Sequence, residues 1–244
     1  MSIGLAGRAG AAEDPCRDSG QHPKGWSCAV RDATVAPTGA LRVETTNGGI
    51  SVVGWDRDEV SVRAVIQANA STNADADAIV SRVALAVDPG RLGATGPTLR
   101  RDETWVVSWE IHAPAGTDLT LTSTNGGLSV TSIAASIDLR TTNGGISLTD
   151  VNGRVTGTTT NGGLDVVLDG PGWQGAGLDL RTTNGPIALA VPRSYAADLD
   201  ATTEQGRIRL GMPVSTTRMP IRLAGGGAPI HLETRNGAIS LEAR

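Results

Sequence analysis

One short sequence motif is repeated along the chain. The string RTTNGGISL, residues 140–148, recurs as ETTNGGISV from Glu44, TSTNGGLSV from Thr122, TTTNGGLDV from Thr158 and RTTNGPIAL from Arg181, with weaker copies from Thr202 and Glu233. Apolar pairs of the form Φ-x-Φ accompany the motif at a spacing of nine residues from Leu119 to Leu164, so one unit of two pairs has about 18 residues. A catalytic loop is needed once, and this recurrence therefore indicates that the motif builds the fold.

The unit SIDLRTTNGGISLTDVNG, residues 136–153, has the alternation of β-strands. Ile137 and Leu139 fall on one side together with Thr141 and Asn143, and Asp138 and Arg140 fall on the other. The Gly-Gly pair after Asn143 predicts a corner, since glycine adopts backbone conformations closed to other residues. We therefore predict an all-β fold with one apolar and one polar face on each strand.

Two all-β architectures fit these units. Asn-Gly between alternating strands is typical of hairpins and predicts an antiparallel meander. Alternatively, each strand pairs with its equivalent one coil away in a parallel β-solenoid, similar to a β-helix or β-roll, with about 18 residues per coil. Near-identity of the units favours the solenoid, because like side chains then stack on like. The residues predicted to form the corners and ladders are Thr45, Asn47, Gly48, Asn125, Gly126, Thr141, Asn143, Gly144, Thr159, Asn161, Gly162, Thr182, Asn184, Gly185, Thr234, Asn236 and Gly237.

The period divides the chain into a tail and one domain. Residues 1–39 are predicted to be an N-terminal tail, and 40–244 a single β-solenoid domain with an insert at 55–117 and regular coils at 118–244. The insert reads as strand, helix and strand, with Ser71 or Asn73 as the helix cap, and we expect it to cap one end of the stack with Trp105 and Trp109 buried. The C-terminal ISLEAR has no evident cap, which predicts self-association through the C-terminal coil.

Composition limits the partners. The net charge is −4 and no basic run occurs, so nucleic acid is not an expected partner. The apolar stretches are too short to span a bilayer. Cys16 and Cys28 have no His or Cys nearby at zinc spacing, and a disulfide between them is the prediction for an exported protein. Residues 1–15 read either as a tail or as an incomplete signal sequence, because Arg8 interrupts the apolar run.

Several strings resemble a bacterial family. TTNGGI-x-L, GGISVVGWDRDEV, SWEIHAPAGTDLTL and GGGAPIHLETRNGAISL resemble the putative-adhesin domain of unknown function with β-strand repeats, found in exported or envelope-associated proteins. The resemblance covers about 40–244 and implies a β-repeat scaffold, and it supplies no catalytic residues to carry over. Gln205 in place of Asn and Pro186 in place of the second Gly are the departures.

The outward residues leave two functional classes open. Asp138, Asp179 and Asp200 fall at comparable strand positions, and Arg140 and Arg181 follow the first two. Such an Asp/Arg face is what a polysaccharide-processing β-helix enzyme would need. It is also what pairs of charges on a solvated sheet look like. No metal or cofactor is predicted, since repeats-in-toxin coils bind calcium through an Asp that only Asp165 approximates here.

We therefore predict a non-catalytic exported or cell-envelope module, an adhesin or scaffold, that binds an unknown glycan or envelope protein through its flat faces or loops. The alternative is the polysaccharide-processing enzyme, and a third reading is a structural module that self-associates. Asp138, Arg140, Asp179 and Arg181 are the candidate binding residues on the face. Trp173 is the candidate aromatic on a loop, unless its ring folds back on the sheets.

Overall fold

The structure, a computed structural model, describes residues 15–16, 24–212 and 219–244. These residues contain twenty β-strands, which are short runs rich in Val, Ile, Leu and Thr, and one α-helix. The strands are β1 (Trp26–Val35), β2 (Ala40–Asn47), β3 (Ile50–Trp55), β4 (Val60–Asn69), β5 (Ala84–Asp88), β6 (Arg91–Thr95), β7 (Thr104–Pro114), β8 (Asp118–Asn125), β9 (Leu128–Thr131), β10 (Ala134–Asn143), β11 (Ile146–Thr149), β12 (Asn152–Asn161), β13 (Leu164–Val167), β14 (Gly177–Asn184), β15 (Ile187–Val191), β16 (Ala197–Gln205), β17 (Ile208–Leu210), β18 (Ile221–Leu223), β19 (Pro229–Asn236) and β20 (Ile239–Ala243). The helix, α1 (Asn73–Arg82), lies between β4 and β5.

The strands form two ten-stranded sheets. Sheet 1 has the order β1-β4-β7-β3-β9-β11-β13-β15-β20-β17, and sheet 2 has the order β18-β16-β19-β14-β12-β10-β8-β2-β6-β5. The prediction of an all-β fold is confirmed. Both sheets are mixed, because antiparallel pairs occur in β1-β4-β7, β5-β6 and β16-β18, whereas the repeats pair in parallel.

Strands of successive repeats pair with each other. Ile137 of β10 lies opposite Leu119 of β8 and Val155 of β12, and Ile146 of β11 lies between Leu128 and Leu164. β10 and β11 follow one another in the chain but belong to different sheets. The hairpin meander is therefore the wrong alternative for these repeats. We call a strand of sheet 2, the corner after it and the next strand of sheet 1 one repeat.

The inward rows of the two sheets meet in one core. Ile137, Leu139, Ile146 and Leu148 are all buried, and so are their equivalents along both sheets. Gly157 occupies an inward position of β12, where a Cβ would lie 2.6 Å from Leu180 Cδ2 and 3.4 Å from Ile146 Cδ1. Large aliphatic neighbours therefore fill the space that this glycine leaves, and the core closes without phenylalanine.

The insert covers one end of the stack. β7 pairs with β3, and β4 and β1 continue sheet 1 beyond it, while β6 and β5 continue sheet 2. The N-cap of helix α1 is Thr72, whose hydroxyl accepts a hydrogen bond from the Asp75 N–H at 3.1 Å; the expected cap at Ser71 or Asn73 is wrong by one residue. Trp109 is buried, and Trp105 is only partly buried against the core.

The folded part begins before the predicted boundary at residue 40. β1 pairs with β4 over ten residues, from Trp26 opposite Asn69 to Val35 opposite Val60, so residues 26–35 belong to the cap. A disulfide joins Cys16 to Cys28 of β1. The predicted tail or signal at residues 1–14 and the segment 17–23 lie outside the described residues.

The last two repeats exchange their order in the stack. β19 lies between β14 and β16, and β20 lies between β15 and β17. The repeat β16–β17 therefore ends the stack, and the C-terminal repeat β19–β20 is internal. The prediction that the C-terminal coil leaves an uncapped edge is wrong, because both of its strands have a neighbour on each side; self-association of the chain stays a prediction. The interruption predicted at 211–220 falls largely on residues 213–218, which lie outside the described residues.

Candidate binding surface

The corner between the two sheets is built from a Thr-x-Asn-Gly series. A buried threonine hydroxyl donates to the carbonyl oxygen of the first corner glycine in the neighbouring repeat. The distances are 2.9 Å for Thr141 to Gly126, 2.8 Å for Thr159 to Gly144, 2.9 Å for Thr182 to Gly162 and 2.9 Å for Thr234 to Gly185. At the capped end, Thr45 donates to the carbonyls of Asn47 and Val107 instead. These bonds tie each repeat to the next without charged groups.

Six asparagine side chains form a continuous ladder beside the threonines. The ladder runs in the order Asn47, Asn125, Asn143, Asn161, Asn184 and Asn236, and from Asn125 onward each Nδ2 donates to the Oδ1 of the preceding asparagine at 2.8–2.9 Å. Asn143 is solvent-exposed, so its predicted inward orientation is wrong. The chain turns after Thr141, which leaves the amides on the outer edge of the corner.

The first glycine of each corner is required by close approach. A Cβ on Gly126, Gly144, Gly162, Gly185 or Gly237 would overlap the carbonyl oxygen of the equivalent glycine one repeat away. The second position is less crowded: a Cβ on Gly163 would meet its nearest atom, the Pro186 carbonyl oxygen, at 3.5 Å, and a Cβ on Gly145 would lie 3.1 Å from the Gly163 carbonyl oxygen. Gly48 alone among the predicted corner glycines also has a positive φ, of 128°. The sequence suggested that glycine is needed at the corners for its backbone conformation. The structure shows instead that glycine is needed because the backbones of neighbouring repeats are in contact.

The outward residues of sheet 2 lie in rows across the strands. One row contains Arg42, Thr120, Asp138, Thr156, Asp179, His231 and Asp200. The next row contains Glu44, Thr122, Arg140, Thr158, Arg181, Glu233 and Thr202. We call these two rows the outer face of sheet 2. Register thus brings the predicted candidates Asp138, Arg140, Asp179 and Arg181 onto one surface, with a threonine pair between the two Asp/Arg pairs.

The charges on this face are paired with each other. Arg140 contacts Asp138 at 2.9 Å, and Arg181 contacts Asp179 at 2.9 Å and Glu233 at 3.2 Å. All of these side chains are exposed by more than a third, so the pairs contribute little to stability. Beside them, Thr158, Thr160, Arg181, Glu233 and Arg235 help to line a shallow depression of about 390 Å³.

Two groups on the same face were not found from the sequence. Arg42 donates to Glu44 at 2.6 Å, and Arg91 of β6 reaches Glu44 at 3.3 Å. The hydrogen bond from Arg42 is the main reason that the pKa of Glu44 is lowered and that of Arg42 is raised. His231 lies between Asp200, at 3.4 Å, and Glu233, at 3.6 Å. Arg42 lies in the same strand as Glu44, and Glu233 lies in the same strand as His231; Arg91 and Asp200 come from other strands and are brought close only by strand pairing.

Trp173 is not available for a ligand. Its side chain is 6% exposed, and its Nε1 donates to the Gly153 carbonyl at 3.0 Å. The ring folds back on the core, so its candidacy as a binding aromatic is wrong. Trp55 is a partly exposed aromatic that lies 5.2 Å from the His112 ring and under the Arg57 guanidinium at 4.8 Å.

Within residues 15–16, 24–212 and 219–244, no group of three His, Cys, Asp or Glu side chains is placed to hold a metal ion. In the same residues, α1 is too short and too polar to cross a membrane.

Comparison with known proteins adds the family. The model of the Toastrack DUF4097 family matches residues 32–242. A putative cell adhesion protein from Clostridium sporogenes has a similar fold, with a TM-score of 0.55 at 13% identity over 89% of this chain and 100% of that one. A putative adhesin from Bacteroides fragilis aligns over 89% of this chain and 97% of that one, with a TM-score of 0.45 at 11% identity. No curated protein matches the chain.

Proposed function

Since the chain belongs to the Toastrack DUF4097 family, we propose that it is a non-catalytic, exported adhesin-like module. In this proposal the repeats build a β-solenoid, and the outer face of sheet 2 binds an extended glycan or an envelope protein. The structural neighbours are themselves named as adhesion proteins, which supports a module of this kind.

The observation that carries the proposal is the repetition of polar groups along the outer face of sheet 2. Threonine pairs Thr120/Thr122 and Thr156/Thr158 alternate with the Asp138/Arg140 and Asp179/Arg181 pairs on consecutive strands, which are about 4.8 Å apart. Hydroxyl, carboxylate and guanidinium groups at a regular spacing suit a ligand that repeats its own polar groups. Many weak contacts then add up to a useful affinity.

The same pairs argue against catalysis on this face. Hydrolysis of a glycosidic bond requires one carboxyl group to donate a proton and a second to act as base or nucleophile. Asp138 and Asp179 lie on strands separated by β12, and each is held by the arginine two residues later in its own strand. Neither carboxylate faces the other across a cleft.

Export is supported by the disulfide between Cys16 and Cys28. Disulfides persist in oxidising compartments and are rare in the cytosol. The corresponding test is alkylation of the native protein without reductant, in which we expect no modified cysteine. Free thiols in the natural cellular location would contradict export.

Binding is tested with an array of bacterial surface glycans and with isolated envelope proteins. We expect the Arg181→Glu variant to lose binding, because it breaks both ion pairs of Arg181 and adds negative charge to the face. Arg101→Glu, which changes an exposed arginine before β7, is the matched control and should bind as the unmodified chain does. If the chain degrades a polysaccharide and Asp138→Asn or Asp179→Asn abolishes that activity, the proposal is wrong. Absence of any bound glycan or envelope protein would also count against it.

A further inference from the structure

The end of the stack away from the cap has an open strand edge. β17 pairs with β20 on one side, and no strand of the described residues pairs with it on the other. In sheet 2, β18 covers only Ala197–Leu199 of the neighbouring β16. An unpaired edge of this kind can accept another strand.

The backbone of β17 shows which groups are available. The Arg207 carbonyl accepts a hydrogen bond from the Ile239 N–H at 3.0 Å, and the Gly211 N–H donates to the Leu241 carbonyl at 2.7 Å. In a parallel ladder alternate residues bond to the same neighbour, so Arg209 also faces β20. The N–H and C=O groups of Ile208 and Leu210 therefore point to the open side.

The side chains of β17 define what the edge would recognise. Ile208 lies opposite Ile239, and Leu210 lies opposite Leu241, both at core positions. With no repeat beyond it, Ile208 is 36% exposed. Arg207 and Arg209 are exposed, and within the described residues neither forms an ion pair. The edge thus combines two apolar side chains on the inner face with arginine on the outer face.

We propose that β17 binds an extended acidic strand of a partner protein by β-augmentation. The strand would read apolar–acidic–apolar, with its apolar side chains covering Ile208 and Leu210 and its carboxylate facing Arg209. A second copy of the chain fits less well, because two-fold antiparallel pairing of β17 with β17 places Arg209 against Arg209. This edge is separate from the outer face of sheet 2 and does not depend on the function proposed for that face.

The test uses the full chain and two peptides, one with the core Thr-Val-Glu-Val-Thr and one with Thr-Val-Lys-Val-Thr. We expect the acidic peptide to bind about three- to tenfold more tightly, and to slow hydrogen exchange at the Ile208 and Leu210 amides. The Arg209→Glu variant should reverse the preference, and Arg101→Glu, which changes an exposed arginine before β7, should leave it unchanged. Ile208→Pro removes the N–H on the open side and the isoleucine side chain that the partner would cover, but no hydrogen bond to β20, which an edge strand tolerates. It should abolish binding while the circular dichroism spectrum is retained.

Three results would overturn the proposal. The first is slow exchange of the Ile208 and Leu210 amides in the free chain, which would mean that the edge is already covered. The second is equal binding, or no binding, of the two peptides. The third is concentration-dependent self-association that Ile208→Pro abolishes, which would identify a second copy as the partner.

Discussion

The close approach of backbones at the corners can be tested by mutation, because alanine is expected to have opposite effects on stability at two adjacent glycines. Gly162 and Gly163 follow Asn161 in the same corner. A Cβ on Gly162 would overlap the Gly144 carbonyl oxygen, whereas a Cβ on Gly163 would sit at an ordinary contact distance of 3.5 Å from the Pro186 carbonyl. We expect Gly162→Ala to destabilise the protein and Gly163→Ala to leave it unchanged or slightly more stable.

The size of the effect follows from the contacts at Gly144. Its carbonyl accepts the Thr159 hydroxyl at 2.8 Å, and its N–H donates to the Asn161 carbonyl at 3.0 Å. Moving the repeats apart costs about 1–3 kcal/mol for overpacking and about 1 kcal/mol for each of the two hydrogen bonds. Alanine returns about 0.4–1 kcal/mol by restricting the unfolded chain. The free energy of unfolding should therefore fall by roughly 2–5 kcal/mol in Gly162→Ala.

The assay is equilibrium unfolding in urea, followed by the fluorescence of the buried Trp109 and Trp173. The midpoint should move to lower urea in Gly162→Ala with an unchanged slope. In Gly163→Ala it should stay constant or rise, as the Ala238 at the equivalent position of β19–β20 already suggests. A difference between the two variants smaller than about 0.5 kcal/mol, the range of ordinary surface changes, would refute the close-approach argument.

Three further outcomes are expected. Thr159→Val should cost about 1–2 kcal/mol in urea unfolding, because it removes the hydrogen bond from the buried Thr159 hydroxyl to the Gly144 carbonyl, whereas the outward Thr158→Val should be close to neutral. Burial raises the pKa of Tyr195, the chain's one tyrosine, to about 12. Because the phenol of the unfolded chain titrates near 10, the free energy of unfolding should be at its full value below pH 10 and decline as the pH rises toward 12. In the Tyr195→Phe variant this decline should be absent. The pKa of Glu44 is lowered by its hydrogen bond with Arg42, so its small contribution to stability is present above the ordinary Glu range and lost as the pH falls through the lowered pKa. Because the pair is exposed, Glu44→Gln should only slightly reduce the fall of the thermal unfolding midpoint at acid pH.

Much of this fold could be predicted because the sequence of each repeat indicates its strands and its corner. The alternation around Ile137 and Leu139 marks a strand with one buried face, and the near-identical Thr-x-Asn-Gly corners mark positions that stack on their own copies. The cap was predicted less accurately. Its β1 was assigned to the tail, because residues 26–35 lack the repeat motif and acquire their role only by pairing with β4.

The candidate site was predicted in part. Asp138, Arg140, Asp179 and Arg181 share a face because their spacing within the repeat is the same. The position of the Trp173 ring could not be predicted from its loop GPGWQGAG, since a glycine-rich segment permits either an exposed or a folded-back ring. In the structure its Nε1 donates a hydrogen bond to the Gly153 carbonyl, which holds the ring against the core. Arg91 and Asp200, the second partners of Glu44 and His231, come from strands that are remote in sequence, which no local pattern records.

The exchanged order of the last repeats has a physical reason in one residue. By apolar pattern alone, β16–β17 and β19–β20 are equivalent, and either could follow β14–β15. Asn236 continues the amide ladder, with its Nδ2 2.8 Å from Asn184 Oδ1. Gln205 of β16 has a side chain one carbon longer, so a repeat containing it in the middle of the stack would break the spacing of the amides. Placing β16–β17 last keeps six asparagines in an unbroken ladder. It also puts Arg207, Ile208 and Arg209 at the end of the stack, where no further repeat covers them. The same exchange that preserves the ladder therefore creates the open edge proposed to bind an acidic strand.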